Sequence, residues 1–275
     1  MGVSVRAFAC GLLFSVLGAG ASVAADIPRP VYKAAPALAP SFNWSGFYGG
    51  IHAGYGWTDR NVDVGIIDPS GVTQAVAADG GTPLSYSINR DGYVVGGQLG
   101  YNRQFNRWLA GWEIDLSATG FNGSSTVFTP TCPNFCGGPN TSTVSQDMDW
   151  FGTVRARFGY TEGPWLVYGT GGLAYGHVKY DYLLTNAPFG GPLTMSKSES
   201  HVEVGWTAGA GFEYGFGPWS AKLEYLYYDL GTRAVGVSNP LAPPALGVQL
   251  VPNYSNSGSI VRVGLNHKLN WFGLP

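Results

Sequence analysis

From Trp44 onward, apolar residues alternate with small or polar ones at a period of two in eight segments. The segments are Gly46–Trp57, Tyr93–Phe105, Trp108–Thr119, Met148–Tyr160, Trp165–Tyr175, Val202–Phe216, Trp219–Tyr228 and Ser259–Leu269. Most run about 10–13 residues, and no stretch keeps a helical period, so the pattern predicts eight strands. In the third, Trp108, Ala110, Trp112, Ile114, Leu116 and Ala118 share one face, opposite Leu109, Gly111, Glu113, Asp115, Ser117 and Thr119. In the sixth, Val202, Val204, Trp206, Ala208, Ala210, Phe212 and Tyr214 oppose Glu203, Gly205, Thr207, Gly209, Gly211 and Glu213. The fifth alternates least, because Leu166, Tyr168 and Ala174 are no more polar than Val167, Leu173 and Tyr175. The links alternate in length. Asn106-Arg107, Thr161–Pro164 and Gly217-Pro218 are tight turns, whereas the links near 58–92, 120–147, 183–201 and 229–258 are long.

Segments of this length match the roughly 9–11 tilted residues with which a strand crosses a bilayer. Alternation alone does not say which face meets solvent, since a soluble barrel puts its apolar face inside and a membrane barrel puts it outside. The aromatics choose. Stacked up and down, Phe47, Phe105, Trp108, Tyr160, Trp165, Phe216 and Trp219 fall at the short-turn ends, and Trp57, Tyr93, Trp150, Tyr175, Trp206 and Tyr227 cluster toward the other ends. Two aromatic rings separated by small aliphatics are interfacial girdles, with Trp57, Trp108, Trp150, Trp165, Trp206 and Trp219 as their indole members. The expected architecture is an all-β, eight-stranded antiparallel up-and-down transmembrane barrel. Four long loops face the cell exterior, both termini lie on the periplasmic side, and membrane lipids are the partner of the outer face.

Composition agrees with that reading. Only 12% of the 275 residues are charged, glycine occurs 42 times, and the chain is 45% hydrophobic with a mean hydropathy near zero. Glycine with no three-residue period excludes collagen, the apolar fraction argues against disorder, and a net charge of -2 offers no field for nucleic acid. Arg6, the apolar run Ala7–Leu17 and the small residues ending Ser22-Val23-Ala24-Ala25 describe a signal peptide cleaved after residue 25. Cleavage removes Arg6, which leaves 14 of the 15 basic residues against 17 acidic ones. Residues 26–43, with Pro28, Pro30, Pro36 and Pro40 among alanines, read as an extended periplasmic linker outside the packed domain. The barrel domain then occupies 44–275.

Candidate chemistry concentrates on the inward face. Glu113 and Asp115 sit at a depth similar to Arg155 and Arg157. Glu213 and Lys222 flank one tight turn, with Glu224 above them and Arg262 on the last strand. Charges in a narrow barrel must be paired, because desolvating a lone ion costs several kcal/mol, and eight strands leave an interior that side chains can fill. The expectation is a salt-bridge plug in the lumen, with a gate or narrow ion path as the alternative. His52 points inward, His177 and His201 lie near the loop-side ends of strands five and six beside Glu199 and Glu203, and His267 falls on the lipid-facing phase. No short motif fixes a serine beside these histidines, and two histidines without a motif make a weak metal site. No catalytic, metal or cofactor-binding role is therefore assigned. Cys132 and Cys136 are the cysteines left after cleavage of the leader, and an even pair in an exported protein favours a disulfide. Thr126 and Ser142 are expected to be exposed loop residues.

Trp44-Ser45-Gly46-Phe47-Tyr48-Gly49-Gly50 followed by Gly54-Tyr55-Gly56-Trp57 resembles the first strand of the alphaproteobacterial outer-membrane immunogenic proteins, a RopB-type, porin-like family. Thr170-Gly171-Gly172-Leu173-Ala174-Tyr175-Gly176 is similar to that family's central strand. Gly205–Tyr214, Lys222-Leu223-Glu224-Tyr225 and Val261-Arg262-Val263-Gly264-Leu265-Asn266 are similar to its C-terminal strands. The resemblance spans Trp44 to about Leu269 and implies an eight-stranded, OmpA-like barrel in the outer membrane that displays loops. It implies no enzymatic activity. Such proteins usually end on a strand closed by phenylalanine, which the barrel-assembly machinery reads during biogenesis; here Asn270-Trp271-Phe272-Gly273-Leu274-Pro275 follows Leu269. The expected function is a structural barrel that displays surface loops. A small-solute channel is the alternative and a lipid-modifying enzyme the third reading.

Overall fold

The structure, a computed structural model, describes residues 42–78, 80–130, 138–186, 193–238 and 249–269. Eight long strands close into a ring: β1 (Gly46–Ile67), β2 (Ser85–Phe105), β3 (Trp108–Thr129), β4 (Asn140–Glu162), β5 (Trp165–Asn186), β6 (Leu193–Phe216), β7 (Trp219–Ala234) and β9 (Gln249–Leu269). Each pairs antiparallel with its neighbour, and β1 pairs β9 from Phe47↔Leu269 upward, so the ring has no edge at the short-turn end. A two-residue β8 (Val237–Ser238) adds to β9 beyond β7, and a seven-residue helix α1 (Val72–Ala78) sits between β1 and β2.

The short turns are two-residue hairpins. Asn106, Gly163 and Gly217 hold φ of 55°, 59° and 59°, while the next residues, Arg107, Pro164 and Pro218, stay at negative φ. That is the type II′ arrangement, whose twist matches the flanking strands. Each turn also ties to the next strand round the ring. Thr161, Gly215 and Lys268 donate their amides to the carbonyls of Arg107, Pro164 and Pro218.

Between the two rings of aromatics the outer wall is aliphatic, with Ile51, Val95, Leu99, Ile114, Leu116, Val154, Leu173, Val204, Leu223 and Val263 all exposed. Ten residues separate Trp150 from Tyr160 on β4. At about 3.3 Å per residue and a tilt near 40° they rise about 25 Å, the height of a barrel's apolar band. Trp57, Trp108, Trp165, Trp206 and Trp219 face outward and exposed, and Trp150 is half-buried against Tyr175 and His177. On β5 the inward set is Leu166, Tyr168, Thr170 and Ala174, which resolves the strand whose faces the sequence left equal.

The strands differ from expectation at their far ends. They run 16 to 24 residues instead of about a dozen, continuing well beyond the outer girdle into stretches expected to be loop. Past the girdle the polarity inverts. The outer face there carries Asp63, Ser85, Ser87, Asn89, Asn122, Ser124 and Thr126. The interior holds Val62, Val64, Tyr86, Ile88, Val144, Tyr180, Tyr182, Leu184, Met195, Val237, Leu250 and Tyr254. This upper section has the polarity of a soluble barrel. Ser142 is consequently no loop residue. It is buried on β4 and bonds the hydroxyls of Tyr86 (2.5 Å) and Tyr182 (3.4 Å), whereas Thr126 is exposed but on a strand. A bulge at Asp149 explains how β4 changes phase. Met148 pairs Val178 and Trp150 pairs His177, so Met148 points inward although Trp150, two residues on, points outward.

Residue 42 also departs from the linker reading. Phe42 packs at a tilt against Trp44 with centroids 4.5 Å apart, and its ring centre lies 4.5 Å from the Lys268 ammonium, so packing begins before residue 44. The expected leader 1–25, most of the linker, the Cys132–Cys136 bridge and the segment after Leu269 lie outside the described residues.

Candidate functional site

The lumen is filled in layers from the short-turn end. Trp44, placed by the chain entering β1, is buried with Leu109, Leu166 and Tyr168, and its amide donates to Gln104 Oε1 at 3.0 Å. Above this apolar stopper all eight charged side chains singled out on the inward phase come together. Glu113 and Asp115 project from β3, Arg155 and Arg157 from β4, Glu213 from β6, Lys222 and Glu224 from β7, and Arg262 from β9. Each is at most 3% exposed.

Arg155 is the hub. Its Nη2 lies 2.6 Å from Glu113 Oε1 and 3.0 Å from Asp115 Oδ2, and its Nη1 lies 3.0 Å from Glu224 Oε1. Arg262 reaches Asp115 at 2.9 Å and Glu224 at 2.7 Å, Lys222 reaches Glu113 at 2.8 Å, and Arg157 joins Glu113 (3.3 Å) to Glu213. Four carboxylates thus face four cations, and the cluster is formally neutral. An ion removed from water costs several kcal/mol unless partners replace the lost hydration, and here each cation has at least one carboxylate within 3.3 Å. Lys222 and Glu213 are register partners across the β6–β7 turn, yet Lys222 crosses the lumen to Glu113 and Glu213 takes Arg157.

Several members were not singled out from the sequence. Tyr48 and Tyr168 donate their hydroxyls to Glu113 (2.8 Å) and Glu224 (2.8 Å), Thr153 donates to Asp115 (2.6 Å), and Ser220 donates to Glu213 (3.2 Å). The Arg157 guanidinium sits 4.0 Å from the centre of the Tyr168 ring, a cation–π contact in a dry site. The parity of Tyr48 was readable, one residue from outward Phe47; that of Tyr168 was not. His52 bridges the cluster to the next layer. Its Nδ1 meets Gln98 Oε1 at 2.5 Å, and that oxygen can only accept, so the proton sits on Nδ1. Nε2 is then the acceptor for Ser117 Oγ (2.7 Å) and Arg262 Nη1 (3.3 Å). His52 is therefore a satisfied hydrogen-bonding link.

The other histidines do not converge. His177 lies on the outer face, stacked on Trp150 and 3.0 Å from Asp149, whereas His201 pairs Val178 on the inward phase and bonds Glu199 and Arg233. Neighbours in sequence register, they occupy opposite faces of the sheet. His267 packs edge-on against Trp219 at the short-turn rim. Among the described residues no group of three or more His, Cys, Asp or Glu is placed to hold a metal ion.

The chain matches the family model for the outer membrane protein beta-barrel domain over residues 15–266. It is 35% identical over 240 residues to a 31 kDa outer-membrane immunogenic protein of Brucella melitensis, covering 85% of this chain and 88% of the relative. A 25 kDa outer-membrane immunogenic protein of Brucella abortus is 26% identical, with 88% and 84% of the two chains covered. The solved outer membrane protein OprG of Pseudomonas aeruginosa aligns over 82% of this chain and 99% of its own at 15% identity, with a TM-score of 0.47. A family match over residues 15–266 and a relative above 30% identity, on a closed ring of eight strands girdled by aromatics, place the chain in the outer membrane as a member of the outer-membrane β-barrel family, among the alphaproteobacterial outer-membrane immunogenic proteins.

Proposed function

We propose that the protein is a structural outer-membrane barrel that displays surface segments as an antigen-bearing scaffold, with its lumen plugged by salt bridges. The observation that carries this reading is the neutral, fully desolvated cluster centred on Arg155. A selective pore is lined by charge of one sign or by hydrated polar groups; side chains of both signs that bind one another across the lumen close it instead. The filling above the outer girdle supports the same reading, because aliphatic and aromatic side chains pack against one another across the interior there. The names of the Brucella relatives favour surface display.

In this scheme residues 1–25 are removed on export, and the proline-rich segment up to residue 43 is periplasmic. The strand extensions project above the cell surface, Cys132 and Cys136 staple the tip between β3 and β4, and the assembly machinery and membrane lipids are the partners met during biogenesis. No catalytic role is assigned. The test is reconstitution of the purified, refolded chain in planar bilayers and liposomes. The expected result is no steady porin-sized conductance and no swelling with sugar-sized solutes. Stable conductance, or solute flux that Arg155→Ala abolishes, would establish a channel and end the structural reading.

A further inference from the structure

One rung beyond the outer girdle, Arg90 on β2 pairs Thr58 on β1, and its side chain turns into the interior. It is 2% exposed. The three other buried arginines sit against carboxylates, but among the described residues no carboxylate lies within ion-pair distance of Arg90. Its Nη2 donates to the carbonyl of Ser255 at 3.1 Å, and its Nη1 has no partner. Gly123 makes room for it, since a Cβ there would come within 2.5 Å of Arg90 Cγ.

The groups around it are short of acceptors. Gln146 Nε2 donates to the same Ser255 carbonyl (3.5 Å) and to Asn256 Oδ1 (2.5 Å), and the Tyr180 hydroxyl also donates to Asn256 Oδ1 (3.0 Å). The amide nitrogen of Asn256, a fully buried residue, is left without a partner. Turning that amide round does not help. It would set two NH2 groups face to face unless Gln146 turned as well, and Gln146 would then oppose its carbonyl to that of Ser255. Two buried donors, one on a permanently charged guanidinium, therefore lie against the same stretch of β9 with nothing to receive them. A guanidinium removed from water without a counter-charge costs several kcal/mol.

We propose that this is a binding site for a small monovalent anion of halide size, held by Arg90 Nη1 and Asn256 Nδ2. The route to it is a break in the wall. The β6–β7 ladder stops at Trp206↔Asp229, although β6 continues to Leu193. The partly exposed Arg233 stands at that break, 3.9 Å from Glu203, and Glu203 Oε1 shares the single proton of the Tyr180 hydroxyl with Asn256 Oδ1. A polar chain thus runs from the outside to the vacant donors. Among the described residues Asp147 acts on Arg90 from a distance and Glu203 lies beyond the Tyr180 hydroxyl, but neither forms an ion pair with it, and the burial of both donors suits a halide better than sulfate.

The test uses the full refolded chain in detergent. Chlorine-35 line widths should show broadening in excess of the detergent blank, saturable by chloride and displaced by bromide but not by sulfate. Arg90→Met should abolish that excess, and Arg107→Met, which removes an exposed cation at a short turn, should leave it unchanged. Crystals of the unaltered protein grown with bromide should carry anomalous density touching Arg90 Nη1 and Asn256 Nδ2, which decides the matter even if Arg90→Met fails to fold. Broadening that survives Arg90→Met, or ordered water with no anomalous signal beside Arg90, would overturn the proposal.

Discussion

Arg155 is the residue on which the lumen most depends, because three carboxylates share its guanidinium. Truncation to alanine leaves the four carboxylates of the cluster with three cations among buried side chains. Breaking a buried pair in this way costs about 3–5 kcal/mol. Arg157→Ala should cost a similar amount, since Glu213 then keeps only Ser220 among its side-chain hydrogen-bond donors. Urea unfolding of detergent-refolded protein, followed by tryptophan fluorescence, should place both midpoints far below that of Thr126→Ala, an exposed change worth under about 0.5 kcal/mol. Equal midpoints for the three variants would mean that the charges are hydrated and independent. The sequence carried the membership of this cluster, because a period of two assigns Glu113, Asp115, Arg155 and Arg157 to one face without reference to anything else. It did not carry the partners. Glu213 and Lys222 stand opposite one another in register, yet each bonds a strand farther round the ring, a choice made by strand tilt and side-chain length across the lumen.

At the scale of the strand, the glycine–aromatic strings acquire a physical meaning. Tyr48 lies over Gly100 and Tyr168 over Gly211, each its cross-strand partner, and a Cβ on either glycine would come within 2.4 Å of the tyrosine ring. The bare backbone lets each ring lie flat along the wall so that its hydroxyl reaches Glu113 or Glu224. Gly211→Val should push Tyr168 off Glu224 and cost about 1–3 kcal/mol as overpacking. Gly169→Ala should be nearly neutral, because the space beside its Cβ position is open to 4.0 Å. Unfolding midpoints of the two variants make the comparison; a neutral Gly211→Val would mean that the ring is not held there. The strand ends were legible at the short turns, where Asn106-Arg107, Gly163-Pro164 and Gly217-Pro218 punctuate the pattern. The far ends were not, for two reasons. Past the girdle the apolar side of each strand turns inward, so the outward-apolar pattern used to find a span stops while the strand does not. The bulge at Asp149 also shifts the phase of β4 by one residue. Ser142 measures the consequence. As a buried hydroxyl joining Tyr86 to Tyr182, its replacement by alanine should cost about 1–2 kcal/mol, several times the cost at Thr126, and amide exchange across 140–147 should be slow. Rapid exchange there would return the segment to the status of a loop.

For the whole molecule, two fillings of opposite chemistry stand in series along one axis. The lower is an ion cluster seated on the Trp44 stopper; the upper is a core of tyrosines and aliphatics with a polar exterior. Within the bilayer the outer wall must be apolar, so the interior receives the polar groups; above it the outer wall meets water and the interior receives the apolar ones. The two sections also respond differently to substitution. Removing charge from the lower section should hydrate it, whereas the upper section keeps its packed aliphatic and aromatic side chains. A variant carrying Glu113→Gln, Asp115→Asn, Glu224→Gln, Arg155→Met and Arg262→Met removes three negative and two positive charges from the plug. It should be less stable than the parent and still silent in planar bilayers, and its strand extensions should keep their slow amide exchange. Steady conductance from that variant, with the parent silent, would mean that the ion cluster is the sole barrier and that the upper core admits water.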